Sequence, residues 1–306
     1  MASERTGMAT YKAPLRDMQF VMQDLINFEK HYQSLPACDE VNQELIDAIL
    51  GEASKFAEEV LAPLYAVGDE VGCTMQEDGE VKTPPGFKEA YEQYIEGGWP
   101  SLDQPAHYGG QDLPMSIGLP VREMNGTANW SWAMYPGLSH GAMETIDTHG
   151  SEEQKAMFME PLVSGRWTGT MCLTEANCGT DLGLLKCKAE QAADGTYKVT
   201  GSKMFVSSGE HDLAENIVHI VLARLPDSPP GTKGISLFIV PKFIPNDDGS
   251  VGERNNVTCG ALEHKMGIHG NSTCLLNFDG ATGYMVGEEN KGLNYMFTFM
   301  NFARLG

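Results

Sequence analysis

Two short segments of the chain gather hydroxyls, glycines and one aromatic ring. Met171-Cys172-Leu173-Thr174-Glu175 runs on into Ala176-Asn177-Cys178-Gly179-Thr180-Asp181, and Gly201-Ser202-Lys203-Met204-Phe205-Val206-Ser207-Ser208-Gly209 follows. The hydroxyls of Thr174, Thr180 and Ser207 can give or take a hydrogen bond. Phe205 offers a flat apolar face, and Gly179 permits close approach of the backbone to a neighbour. Extended strands add main-chain N–H and C=O groups along an edge. Residues of these types can position a ligand but lack a group obviously suited to break bonds themselves. Singly, each also reads as an ordinary strand or turn residue, so the weight rests on the two segments together.

Other groupings with chemical potential are sparse. Gly137-Leu138-Ser139-His140-Gly141 fits the Gly-x-Ser-x-Gly pattern of a serine nucleophile on a strand-to-helix elbow. That elbow needs a buried strand before it. Ala133-Met134-Tyr135-Pro136 is not one, so a helical Ser139 is expected. The eight histidines form no His-Glu-x-x-His, and His264 and His269 read as loop and surface residues. The seven cysteines (Cys38, Cys73, Cys172, Cys178, Cys187, Cys259 and Cys274) are scattered and form no Cys-x-x-Cys. That is the pattern of reduced thiols in a cytosol, not of a disulfide frame or a zinc site. No P-loop and no Gly-x-Gly-x-x-Gly is present.

The 306 residues include 42 acidic and 21 basic side chains, a formal charge of −21. This balance argues against bulk binding to nucleic acid or an anionic membrane, both of which need a positive surface. No apolar run approaches the roughly 20 residues that span a bilayer, and the first ten residues lack the apolar core of a signal peptide. Residues 1–38 read as an extension and 39–167 as a helical domain. Asp39 is placed to cap a helix whose apolar positions are Val41, Leu45, Ile49, Phe56, Val60 and Leu64, with Pro63 marking its end. Phe87, Tyr91, Tyr94 and Ile95 form a second amphipathic pattern, closed by Gly97-Gly98. Ser151 caps a helix that runs to about Leu162 and stops near Gly165. Beyond Trp167 the runs Thr170 to Thr174, Tyr197 to Thr200, Lys203 to Ser207, Ile217 to Ala223 and Ile235 to Val240 are β-branched or aromatic and separated by turns. They predict a β domain over 168–283. Leu293 to Arg304 returns to helix, opening a further helical domain over 284–306, so the fold class is α+β.

The first segment resembles the CLTEP-x-x-GSD motif of the acyl-CoA dehydrogenases, and the second resembles that family's G-x-K-x-(W/F)-(I/V)-(S/T)-x-G motif, in the same order. Ala176-Asn177 stands in place of the common Pro-containing pair, and Thr180 in place of Ser. Gly150 to Lys155, Leu162 to Gly165, Gly283 to Gly292 and Met300 to Arg304 look like the family too, so the resemblance covers about residues 40–306. Tyr11-Lys12-Ala13-Pro14-Leu15-Arg16-Asp17 is similar to an extension of the larger bacterial members, a branch that includes the 3-methylmercaptopropionyl-CoA dehydrogenases. The resemblance implies an N-terminal helical domain, a β-barrel-like middle domain and the start of a C-terminal helical domain. It implies FAD as cofactor, held by Met171, Leu173, Thr174, Gly179, Thr180, Phe205, Val206 and Ser207. The Met171–Thr174 strand would lie along the isoalloxazine, Phe205 would pack against it and the Ser207 hydroxyl would sit near N5. Thr180, Asn301 and Arg304 are implied contacts to an acyl-CoA substrate, although Arg304 reads equally as a surface arginine.

The implied reaction is α,β-dehydrogenation of an acyl-CoA thioester to the trans-2-enoyl-CoA. A carboxylate takes the α-proton, hydride leaves the β-carbon for the flavin, and hydrogen bonds to the thioester oxygen stabilise the developing enolate. Electrons then pass to an electron-transferring flavoprotein. A homodimer or homotetramer and a cytoplasmic location are also implied. The base should be a Glu of the C-terminal helical domain. In some members it sits on that domain's first helix, but the matching position here is Ala303, and Glu175 belongs to the strand motif. The base is therefore expected beyond Gly306, in a longer enzyme of which this sequence is one part. A flavin- or acyl-CoA-binding relative without catalysis, and a serine hydrolase using Ser139, are the alternatives.

Overall fold

The computed structural model describes residues 10–38 and 40–305. In the extension, α1 (Leu15–Gln19) and α2 (Phe28–Gln33) are joined through a wider-wound turn, Phe20–Leu25. The helical part continues with α3 (Gln43–Lys55), a second wide turn at Phe56–Leu61, α4 (Ala62–Val71) and a small hairpin of β1 (Thr74–Met75) and β2 (Val81–Lys82). It is completed by α5 (Phe87–Glu96), α6 (Met115–Ala128), α7 (Trp130–His149) and α8 (Glu152–Val163).

Local chemistry explains where these helices begin. The expected cap at Asp39 lies outside the described residues; the side chain of Asn42 takes the Leu45 N–H and starts α3. Pro63 does not end a helix. It sits in the first turn of α4, where the wide turn ahead of it accommodates the missing N–H. Ser151 caps α8 as expected, and Gln154 returns the bond to complete a capping box. Trp132 centres the helical core. Its ring lies 5.4 Å from Tyr94 and 5.8 Å from Phe56, and its indole N–H donates to the Phe87 carbonyl.

The remaining strands are β3 (Trp167–Cys172), β4 (Lys188–Gln191), β5 (Tyr197–Ser207), β6 (Asn216–Arg224), β7 (Ile235–Pro241), β8 (Phe243–Pro245), β9 (Val251–Arg254), β10 (Val257–Leu262) and β11 (Thr273–Val286). Five of them close a ring: β11 pairs β5, β5 pairs β4, β4 pairs β6, β6 pairs β7, and β7 returns to β11. β10 adds outside β11 and β3 outside β6. The two runs expected at Tyr197–Thr200 and Lys203–Ser207 are one strand, because Gly201 and Ser202 carry the ladder on opposite Phe278 and Asn277. β3 stops at Cys172, earlier than expected, which leaves Leu173 and Thr174 in the loop that follows. β6 and β7 are buried along nearly their whole length, which is why they read as continuous apolar runs.

α7 lies across β3. Ser139 stands in the middle of α7, almost fully buried, and its hydroxyl accepts the Gly169 N–H at 3.0 Å. It therefore fastens a helix to a strand and forms no nucleophile elbow. Gly169 is required by the same contact, since a Cβ there would lie 2.4 Å from the Cβ of Ala142. α9 (Gly292–Leu305) packs on α7 and β7 through fully buried Met296 and Phe299. Phe297, on the other side of the same helix, is 41% exposed. On β3, Thr168 Oγ1 meets His211 Nε2 at 2.9 Å and Thr170 Oγ1 meets His219 Nδ1 at 2.7 Å. Burial, reinforced by nearby Lys242, pushes both imidazoles down to about 3.

Gly169→Ala is expected to destabilise the fold by about 1–3 kcal/mol through overpacking, read by urea unfolding. A second expectation concerns pH. An unfolded histidine titrates near 6.5, whereas His211 and His219 stay neutral in the folded chain far below that. As pH falls below 6.5 the unfolded state gains protons that the folded state refuses. Stability present above that pH is lost on the way to about 3, at up to ~1.4 kcal/mol per pH unit for each group. His219→Gln should flatten the fall in urea midpoint on acidification relative to the unsubstituted protein.

Candidate functional site

β5 alternates inward and outward through Tyr197, Val199, Gly201 and Lys203, then changes phase. Met204 and Phe205 together stand opposite a single residue of β11, between the Lys203–Leu276 and Val206–Cys274 pairs. This bulge puts Phe205 in the left-handed region, at φ 58°, and turns its ring outward, where it is 58% exposed. A non-glycine residue held at positive φ carries strain that its surroundings must impose. Val206 then points into the core and is almost fully buried, so its side chain does not share the face of Phe205. Ser207 pairs with Thr273.

The loop after β3 is fastened to β5. The Thr174 carbonyl accepts from Met204 N–H at 2.8 Å, and the Leu173 carbonyl accepts from Lys203 Nζ at 3.0 Å. Glu175 and Cys178 exchange main-chain bonds of 2.8 and 3.0 Å across a tight turn. The carboxylate of Glu175 is buried. It takes Lys203 Nζ at 2.9 Å and the N–H groups of Cys187 and Lys186 at 2.9 and 2.7 Å. Lys203 is fully buried beneath this loop. Thr174 is thereby set beside Met204 and next to Phe205, with Met171 and Leu173 half-buried alongside.

Among the described residues, the hydroxyls of Thr174, Thr180 and Ser207 form no hydrogen bond. Gly179 is exposed, and a Cβ there would meet only Thr174, at 3.4 Å. Thr180 lies further along the same β3–β4 connection, whose 183–185 part Arg224 braces through the carbonyls of Gly183 and Leu185 while also bonding the Gly231 carbonyl. Asn301 and Arg304 face outward on α9 and bond to each other at 2.9 Å; no hydrogen bond or ion pair joins them to the Thr174 or Phe205 segments. Two clefts are present, the larger of which adjoins the end of β5 through Asn271 and Thr273. One, of about 330 Å³, is lined by Asp69, Cys73, Lys265, His269 and Ser272, and another, of about 160 Å³, by Asp103, Glu144, Asp147 and Phe302. The Thr174–Phe205–Ser207 face is open rather than enclosed. All seven cysteines are free thiols, and no group of acidic, histidine or cysteine side chains among the described residues has the spacing of a metal site.

Three residues that hold this face were not singled out from the sequence. Lys203 and Glu175 form its buried ion pair. Asn271 clamps the end of β5, accepting the Ser208 N–H at 3.2 Å and donating to Ser208 Oγ at 2.9 Å and to the Ser131 carbonyl of α7 at 3.3 Å. For Lys203 a signal existed: strand periodicity puts it inward, and a buried ammonium must have a partner.

Residues 43–166 match the family model for the acyl-CoA dehydrogenase N-terminal domain, and residues 170–281 the model for the middle domain. The chain is 43% identical over 295 residues to 3-methylmercaptopropionyl-CoA dehydrogenase of Ruegeria pomeroyi, covering 96% of this chain and 50% of that protein. It spans about half the length of the curated relatives it matches first. Among solved structures, butyryl-CoA dehydrogenase of Megasphaera elsdenii superposes with a TM-score of 0.69 at 27% identity, over 87% of this chain and 64% of that one. A structure reported for the electron transferring flavoprotein of Acidaminococcus fermentans superposes with a TM-score of 0.71 at 25% identity, over the same shares. With both domain models matched in order over a helical layer and a closed β domain, the chain belongs to the acyl-CoA dehydrogenase family.

Proposed function

We propose that the open face at Thr174, Phe205 and Ser207 is the protein side of a FAD site, and that the enzyme built on it dehydrogenates an acyl-CoA thioester to the trans-2-enoyl-CoA. The observation that carries this reading is the pair of unpartnered hydroxyls, Thr174 and Ser207, flanking a strained, outward-turned Phe205 on a rigidly fastened frame. Unused donors beside an exposed aromatic ring fit a flat heterocycle with polar edges. When bound, FAD would supply the two-electron acceptor. The chain's own residues orient it: Thr174 and Ser207 would bond its edge, and Phe205 would cover an apolar part of the ring, with Met171, Leu173, Gly179 and Val206 supplying the surrounding backbone. Thr180 and the Asn301–Arg304 pair would meet the acyl-CoA, Arg304 offering a cation to its anionic portion.

Glu175 is unsuited to take the α-proton, because its carboxylate is buried and already accepts three hydrogen bonds. The proton acceptor is proposed to be a Glu outside these 306 residues. An electron-transferring flavoprotein is the proposed electron acceptor, and a homodimer or homotetramer the proposed assembly. No helix among the described residues is long and apolar enough to cross a membrane; with its free thiols, the protein is proposed to work in the cytoplasm.

The decisive test is the visible spectrum of the purified full-length protein, recorded anaerobically with acyl-CoAs of increasing length. A yellow protein that one of them bleaches is expected. A yellow protein that none bleaches would favour a binding relative, and one that takes up no FAD would overturn the reading. Phe205→Gly should separate stability from binding. It relieves a left-handed conformation at an exposed position, so stability is expected to rise by about 1 kcal/mol, while FAD affinity falls roughly tenfold, the size of a lost ring contact.

A further inference from the structure

The ammonium of Lys203 is fully buried, and its two hydrogen bonds, to the Leu173 carbonyl and the Glu175 carboxylate, both point beneath the loop. A lysine buried only to balance a charge needs a carboxylate; this one also holds a main-chain carbonyl. Its partner Glu175 in turn holds the N–H groups of Lys186 and Cys187, at the start of the approach to β4. The pair therefore ties the first motif segment, the second motif segment and the 182–187 stretch to one point. The main-chain bonds that fix the first part of the loop after β3 gather at this pair: Lys203 to the Leu173 carbonyl, Met204 N–H to the Thr174 carbonyl, and the Glu175–Cys178 exchange.

We propose that Lys203 is a positioning residue for the cofactor: through the Leu173 carbonyl it fixes the rotation of the Leu173–Thr174 peptide, and so aims the Thr174 hydroxyl and the adjoining N–H groups out of the sheet. This rests on the FAD reading above. Neither side chain of the pair touches the ligand, and neither takes part in proton or electron transfer. The next peptide is held by an ordinary strand-type bond from Met204, so the Leu173 carbonyl is the point at which a side chain rather than the ladder decides the loop's orientation.

Stability and positioning can be separated. Removing one partner of a buried pair leaves an uncompensated charge, whereas neutralising both often restores the fold. Lys203→Met alone should lower the melting temperature sharply. Glu175→Gln with Lys203→Met removes both charges and keeps an acceptor for the loop N–H groups. This double variant should regain most of the lost melting temperature yet bind FAD at least tenfold more weakly than the unsubstituted full-length protein, with a shifted flavin absorption envelope. Recovery of FAD affinity to within twofold together with stability would overturn the proposal and leave the pair purely structural. If the double variant does not fold, Lys203→Arg decides. Its charge is kept but the planar, longer head cannot occupy the same point, so a shifted flavin midpoint potential is expected, and an unchanged potential would overturn the proposal. An unsubstituted protein that takes up no FAD would overturn this inference and the FAD reading together, while normal FAD uptake with unaffected variants would overturn this inference alone.

Discussion

Closure of the five-stranded ring is the constraint from which the rest follows. In an open sheet a strand can slip by one residue and exchange its inner and outer faces. Here β7 is bonded on one side to β6 and on the other to β11, and β5 lies across the ring between β4 and β11. Each strand of the ring is paired on both sides, although β4 meets β6 through the single pair Lys188–Arg224, so a shift of β5, β7 or β11 would break two ladders. Fixed register is what makes a bulge usable, because the extra residue at Phe205 cannot be absorbed by sliding and must leave the plane of the strand.

The strands thus supply a rigid frame, but the loop after β3 lies outside the named strands, and beside the Met204–Thr174 bond and the Arg224 contacts its placement rests on the buried ammonium and carboxylate beneath it. The net worth of such a pair is small or even unfavourable, since both ions lose their water. What the pair does provide is a unique arrangement: three N–H or ammonium donors converge on one carboxylate, and a single lysine spans two segments distant in sequence. A site that must present hydroxyls at set positions gains from that uniqueness rather than from added stability.

Much of this was legible in advance, and the exceptions have physical causes. The capped start at Ser151, the helix at Phe87, the buried runs of β6 and β7 and the returning helix after Lys291 all follow from local pattern, and each stands where expected. Pro63 misled because a helix stop and a helix start look alike when a widened turn precedes the proline. Gly201-Ser202 looked like a break between two strands because a small residue in a strand weakens its signal; the glycine is there so that β5 can pass close to Cys187. The outward turn of Phe205 was invisible, since a bulge is set by the partner strand and not by the residues that form it. For the same reason the motif alone does not show that the Val206 side chain lies in the core. Asn301 and Arg304 were named from their motif, and their mutual bond on α9 depends on helical spacing that the motif does not encode.

Asn271 binds both the end of β5 and the main chain of α7, and the surroundings repeat that theme. Tyr135 of α7 donates to the Gly270 carbonyl and takes the Ser272 N–H, while Thr83 bonds Asp212 and Glu80 meets Lys242 and Arg254. The helical layer and the ring are therefore stitched by polar contacts along their seam, several of them buried. A hinge needs a line along which few bonds must break, and this seam is the opposite. The proposed face at Phe205 is therefore part of a preformed wall, and a ligand there would enter from its open side rather than by breathing of the two layers against each other.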